Sequence, residues 1–241
     1  MRHPTLPDQL GPFEIFSGHE LSVGRPLVAR LQGRRFDQLL EEAAYERPYD
    51  ARFAKAMVKT LGYLCTTLGA SFGFVERTEM SLYAVSAGGD GRRLLSRIAG
   101  EAAGKLSLHL GQVVTFDAHL YEFSDSSQAL EYFRWRQDDA HVSAIDRYCT
   151  HVLALSGADQ SAVPRILDGL GPDEKVELLR QNALDFQTVP SWQRHGACVK
   201  VRAPEADQDH GGLGRLLIDM NLPSPEAGDD FGDYLRRALA Q

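Results

Sequence analysis

The chain has 241 residues, 43% hydrophobic and 24% charged; this globular composition leaves room for one full-sized domain or two small ones and excludes a disordered or collagen-like chain. No apolar run approaches the roughly 20 residues a membrane-spanning helix needs, and the opening Met1–Asp8 lacks the apolar core of a signal peptide, so a soluble, cytoplasmic protein without a membrane partner is expected. The net charge of −7 weighs against a nucleic-acid partner until its distribution is considered. Eight acidic and three basic residues lie between Ala203 and Gln241, a balance of −5 that leaves only −2 for everything before. In that earlier part Arg25, Arg30, Arg34 and Arg35 crowd together before Asp37, either as a local basic face or as part of a solvated mixed surface. Cys65, Cys149 and Cys198 form no C-x-x-C pair, and their odd number points to buried free thiols.

In chain order, Pro26–Leu31 reads as a short apolar strand ended by Gly33. A helix follows, with Asp50 as N-cap, Phe53, Met57, Leu61, Leu64 and Leu68 at spacings of three and four, and Gly69 as the C-terminal glycine. Ala70–Val75 and Met80–Val85 are two β-rich runs around the polar Glu76-Arg77-Thr78-Glu79, a hairpin. The turn Gly88-Gly89-Asp90-Gly91 leads into a second helix carrying Leu94, Leu95, Ile98, Ala102 and Leu106, after which Val113–Phe116 and Leu120–Phe123 return to strand character. Strand, helix, hairpin, helix, strand is the order of the split βαβ plan, so the fold class is α+β: a ferredoxin-like antiparallel sheet with helices on one face, plus a helical C-terminal part. An aromatic-rich helix is predicted from about Ser126 to Leu155, then two shorter helices flanking Gly169-Leu170-Gly171-Pro172, and a strand over Gly196–Val201. The division that follows is an arm over 1–25, a strand-and-helix domain over 26–125, a helical part with a returning strand over 126–202, and an acidic tail over 203–241 with few core contacts.

Arg30-Leu31-Gln32-Gly33-Arg34-Arg35-Phe36 places a glycine and several backbone amides at a strand exit, either a cradle for a triphosphate or simply a tight turn. Gly88-Gly89-Asp90-Gly91 and Gly211-Gly212-Leu213-Gly214 match no nucleotide fingerprint and read as turns. Tyr132-Phe133-Arg134-Trp135-Arg136-Gln137-Asp138-Asp139-Ala140-His141 interleaves aromatics with arginines, as base stacking or phosphate contact requires; equally, the arginines can pair with Asp138 and Asp139. His141 alone reads as a hydrogen-bonded structural histidine.

Taken together and in order, these segments resemble the tRNA-histidine guanylyltransferases and their bacterial and archaeal relatives, the 3′-to-5′ nucleotide-adding polymerases. The family pattern P-V-I-I-R-I/L-D-G-K/R-x-F is matched by Pro26-Leu27-Val28-Ala29-Arg30-Leu31-Gln32-Gly33-Arg34-Arg35-Phe36, and K-P-F/N-D-x-x-F by Arg47-Pro48-Tyr49-Asp50-Ala51-Arg52-Phe53. Tyr63-Leu64-Cys65 matches Y-L-C, and the hairpin Y-x-Q-S-D-E-x-S corresponds to Phe74-Val75-Glu76-Arg77-Thr78-Glu79-Met80-Ser81. Phe116-Asp117-Ala118-His119 is similar to F-D-S-R, the stretch from Tyr132 to Asp139 to Y-F-x-W-R-Q-x-D, and Val189 to Lys200 to L-P-x-x-x-K-R-G-x-x-V-K, so the resemblance runs from about Pro26 to Lys200.

The resemblance implies a palm-like domain that binds GTP or ATP and a tRNA, works as a homodimer or homotetramer, and transfers a nucleotide to a 5′ end with two magnesium ions. It also implies which residues serve. Gly33, Arg34, Arg35 and Phe36 would hold the triphosphate, Asp50 the base edge, and Trp135, Arg136 and His141 the RNA. The family's metal ligands are the aspartates of R-I/L-D-G and Q-S-D-E, the backbone carbonyl at the glycine and the neighbouring glutamate. Here Gln32 and Thr78 stand where those aspartates belong, leaving Gly33 and Glu79, with Glu76 as a substitute ligand for a weakened magnesium site. Also absent are the asparagines of H-x-N-N, since His141-Val142-Ser143-Ala144 stands there. Two functions are therefore expected to compete: a nucleotidyltransferase with weakened or lost two-metal activity, and a non-catalytic nucleotide- or RNA-binding or oligomeric regulatory relative.

Overall fold

The computed structural model describes residues 18–202, 215–225 and 230–239. Its elements in order are β1 (Glu20–Leu21), β2 (Pro26–Gly33), α1 (Phe36–Glu42), α2 (Ala51–Leu68), β3 (Phe72–Glu76), β4 (Glu79–Val85), β5 (Gly89–Asp90), α3 (Gly91–Leu110) and β6 (Phe116–Glu122). They are followed by α4 (Ser126–Leu155), α5 (Val163–Asp168), α6 (Pro172–Gln181), a 3-10 turn (Phe186–Thr188), α7 (Ser191–His195), β7 (Ala197–Arg202), β8 (Arg215–Asp219) and α8 (Asp230–Leu239). The main sheet has the order β6-β2-β4-β3-β7-β8 with every pairing antiparallel, so its first four strands carry the split βαβ arrangement. β1 and β5 form a separate two-stranded ribbon.

Helix ends follow the capping residues. Asp50 accepts from the Arg52 and Phe53 amides at the start of α2, and Gly69 closes that helix at φ 68°. Asp90 and Asp125 cap α3 and α4 in the same way. α2 and α3 pack on one face of the sheet, burying Met57, Leu61, Leu64, Ile98, Ala102 and Leu106 against Ala29, Leu31, Val75 and Leu82. The other face is covered by the C-terminal part: Ala129 and Phe133 of α4 and Phe231, Leu235 and Ala238 of α8 meet Val28, Phe72, Phe74 and Tyr83. A third cluster joins the second half of α4 to α5, α6 and the 3-10 turn. The three cysteines are buried free thiols. Among the described residues no helix is long and apolar enough to cross a membrane.

Two expectations are corrected. The separate strands read at Val113–Phe116 and Leu120–Phe123 are one strand, β6, paired without interruption to β2 from Gly33↔Phe116 to Leu27↔Glu122. Asp117 and His119, between the two runs, stand on an exposed strip of a sheet-edge strand, where polar residues are tolerated. The segment after Ala203 also makes more core contacts than the few expected. Its described part supplies β8 and α8, and the latter buries Phe231, Leu235 and Ala238 at spacings of four and three, with Asp230 and Asp233 in its first turn and Arg236 and Arg237 in its last. The acidic count hid that periodicity. Gly211–Gly214 and Met1–Asp8 lie outside the described residues.

Candidate functional site

Strand register assembles the site. Gln32 of β2 is paired with Asp117 of β6 on one side and with Glu79 of β4 on the other, and Glu79 is paired in turn with Glu76 of β3. Directly paired residues project to the same face, so Asp117, Gln32, Glu79 and Glu76 form one row across four strands, on the face that α4 covers. The hairpin turn narrows to Arg77-Thr78, and the Thr78 carbonyl accepts from the Gly33 amide at 3.0 Å. The two positions where the family pattern has aspartate, Gln32 and Thr78, thus lie at one end of the sheet.

Arginines satisfy the surviving carboxylates. Glu79 accepts from Arg30 Nε at 2.9 Å and lies 2.8 Å from Arg30 Nη2 and 3.0 Å from Arg136 Nη2. Arg136, only 1% exposed, also pairs with Asp139 at 2.7 Å, and both guanidiniums lie over the Trp135 ring, at 5.7 Å for Arg30 and 5.4 Å for Arg136. Glu76 is 4% exposed and bonds to Arg147 of α4, whose Nη1 also donates to Tyr49 Oη at 3.0 Å. Burial pushes the Glu76 carboxyl above the usual range, against the pull of Arg147, Arg136 and Arg77.

This arrangement does not fit a magnesium ion. A hard divalent cation takes several oxygen ligands, preferably charged, around one point. Here Gln32 presents an amide, Thr78 is a turn residue, Glu79 is held by two guanidiniums and Glu76 is buried in its own ion pair. Among the described residues no group of three or more histidine, cysteine, aspartate or glutamate side chains is placed to hold a metal. In the expected weak metal set of Gly33, Glu79 and Glu76, both carboxylates have cationic partners in the chain.

The expected triphosphate residues divide. The Gly33 amide is taken by Thr78 and the Arg34 amide by the Thr115 carbonyl at 3.0 Å, so neither is a free phosphate donor. Gly33 answers a packing need as well: a Cβ there would stand 2.3 Å from the Phe36 ring. Phe36 itself is buried edge-to-face against Phe53 and Phe116, which makes its side chain a core anchor rather than a ligand contact. α1 begins without a side-chain cap, after Arg35 at φ 57°, so its first amides have no intrahelical partner. Arg34 makes only a loose exposed pair with Asp117 at 3.6 Å, and Arg35 is exposed. Asp50 is buried and committed to the cap of α2, to the Glu46 amide and to Arg52, whose hydrogen bond keeps its carboxyl far below the usual range.

Of the expected RNA residues, Trp135 is 48% exposed, whereas Arg136 is buried at the Glu79 pair. His141 packs inward, stacked on His195 with ring centroids 5.3 Å apart and edge-to-face on Phe186. His195 is 1% exposed, and neither of its ring nitrogens has a hydrogen-bond partner among the described residues. Burial, with Arg194 and His141 nearby, pushes its pKa down to about 4. The unfolded chain therefore binds one more proton between about pH 6.5 and pH 4. The penalty is absent above pH 6.5 and grows as pH falls, at up to about 1.4 kcal/mol per unit. Urea denaturation across that range should show the loss in the native protein and a flatter profile in His195→Phe; equal slopes would rule out His195 as the cause.

Arg147 was missed in the sequence. The signal was there: it lies eleven residues, three helical turns, after Arg136, so α4 presents both to the same side. The element that reads as aromatic carries the two cations that close the site.

The antiparallel sheet of split βαβ plan, with helices on both faces and the site row at one end, is the palm-like fold of the tRNA(His) guanylyltransferase-like structures. Residues 9–133 match the family profile described as tRNA(His) guanylyltransferase, and the chain belongs to that family. A tRNA(His) guanylyltransferase of Debaryomyces hansenii is 23% identical over 72% of each chain. An uncharacterized protein of Acanthamoeba polyphaga mimivirus is 23% identical over 83% of this chain and 78% of its own. Among solved structures, a bacterial tRNA(His) guanylyltransferase-like protein in complex with ATP superimposes with a TM-score of 0.76 at 19% identity, covering 98% of this chain and all of its own. The tRNA(His) guanylyltransferase of Saccharomyces cerevisiae reaches 0.70 at 15% identity, over 86% and 94%.

Proposed function

We propose that this member of the family binds a nucleoside triphosphate and RNA but has lost, or retains only feebly, two-metal nucleotide transfer. The observation that carries the reading is the Arg30–Glu79–Arg136 cluster beside Gln32 and Thr78. Fixed guanidiniums neutralise the carboxylate that the family pattern keeps, and an amide and a hydroxyl replace the other two. In this reading the palm-like unit 26–125 carries the nucleotide and the helical part 126–202 supplies the charges that close the site. That a bacterial relative of the same fold is known in complex with ATP supports the nucleotide. A homo-oligomer belongs to the same proposal, since β8 ends the sheet with Leu216, Leu217 and Ile218 exposed. The test is incubation with labelled ATP and GTP, magnesium or manganese, and candidate tRNAs, alongside calorimetry with ATP: binding without transfer is the expected result, and transfer at the rate of an active family member would overturn it.

Arg34 and Arg35, exposed at the strand exit after Gly33, are the proposed triphosphate contact. Calorimetry should show that binding of ATP persists in the presence of a chelator and that Arg34→Ala with Arg35→Ala weakens it at least about tenfold, the scale of one or two lost charge-assisted hydrogen bonds. Unchanged affinity in the double variant would place the nucleotide elsewhere.

A further inference from the structure

β6 is the outer strand on the side of the sheet away from β8, and on the site face His119 and Tyr121 follow Asp117 away from the site row. The rings of His119 and Tyr121 are 6.4 Å apart with planes 26° from parallel; those of Tyr121 and Phe123 are 6.3 Å apart and only 11° from parallel. That separation follows from the strand, whose alternate residues are about 6.7 Å apart. It is also close to the ~6.8 Å between two rings that hold one base between them, given the ~3.4 Å rise of stacked bases. Tyr132 backs the row from α4 and leads to Trp135, each step 5.9 Å. His119 is exposed, Tyr121 and Phe123 are half-buried, and Trp135 is 48% exposed, so the rings form an open rim. Cations stand at both ends: Arg25 bonds the Ser124 carbonyl beside Phe123, and Arg34 lies next to Asp117.

We propose that this row is a stacking platform for two or three unpaired nucleotides of an RNA strand that leads to the site row. The proposal rests on the RNA-binding part of the function given above and names the form of RNA it takes. Nearly parallel rings at a fixed repeat suit the faces of unpaired bases, which duplex RNA does not offer, and the flanking arginines suit the phosphates. Each stacked base carries a sequence-tolerant attraction, so removing a ring should weaken binding by about 5- to 150-fold.

The test uses the full chain, fluorescence anisotropy with a labelled hexauridylate and with an RNA duplex of the same length, and ATP calorimetry as an independent measure of the nucleotide site. The expected result is that the single strand binds more tightly than the duplex, that His119→Ala with Tyr121→Ala lowers its affinity at least about 25-fold, and that ATP affinity is unchanged. His119→Ala alone, at an exposed position, should show a smaller loss at unaltered thermal stability and guards against misfolding of the double variant. ATP binding without preference for the single strand, or undiminished RNA binding in both variants, overturns the platform alone. Absence of both ATP and RNA binding in the native protein overturns the proposed function and the platform with it. If light scattering shows that the variants split an oligomer while RNA affinity is kept, the row is a face between copies of the chain and the proposal is wrong.

Discussion

Replacing Arg136 by alanine should destabilise the protein by about 3–5 kcal/mol, a large share of the 5–15 kcal/mol that holds a typical domain together. Among the described residues Arg136 is the largest fully buried side chain, and it pairs at once with Glu79 of the sheet and Asp139 of its own helix. Removing it leaves Glu79, a side chain only 15% exposed, with Arg30 as its remaining partner, and opens a cavity under Trp135. The charge accounts for more of this loss than the volume. Arg136→Met, which refills most of the space, should therefore recover only part of it, whereas Arg136→Met with Glu79→Gln should recover most, because a matched apolar and neutral replacement of a buried pair is often tolerated. Urea denaturation of these variants together with the Glu79→Gln single variant closes the cycle. A loss below about 0.5 kcal/mol in Arg136→Ala would show that the pair is solvated and that the guanidinium does not hold Glu79.

Most of the fold was legible because its signals are local. Asp50 and Gly69 mark the ends of α2, the polar Glu76–Glu79 marks the hairpin, and the limits of α4 were read at Ser126 and Leu155. Legibility failed where the deciding partner is far along the chain. Glu76 reads as a spare carboxylate at a hairpin end, and only the approach of Arg147, 71 residues later, makes it half of a buried pair. Gly33 reads as either a phosphate cradle or a tight turn, and only the structure ties it to the Thr78 carbonyl and the Phe36 ring. β6 reads as two runs because the polar Asp117 and His119 interrupt its apolar residues, and only pairing with β2 shows one strand. By contrast, the departures at Gln32 and Thr78 were readable outright, since they are single residues inside an otherwise matching pattern.

The second large effect is expected in the chemistry. The native protein should transfer nucleotide at least about 10³-fold more slowly than an active family member assayed in parallel, the equivalent of roughly 4 kcal/mol of lost transition-state stabilisation. Gln32→Asp with Thr78→Asp returns two carboxylates to one end of the sheet. Position 32 lies between Asp117 and Glu79 in the strand register and is exposed, so the new charge meets no burial penalty. The double variant should gain magnesium-dependent tightening of ATP binding, seen as a difference between titrations with the metal and with a chelator. Its transfer rate should rise by less than the full 10³, because Glu79 remains held by Arg30 and Arg136 and those guanidiniums repel a cation placed beside it. Weakening that hold with Arg30→Gln in the same background should raise the metal effect further, at some cost in stability. If instead the native protein transfers nucleotide in magnesium as fast as its relatives, the arginines do not keep a cation out, and Glu79 must exchange them for metal when substrate arrives.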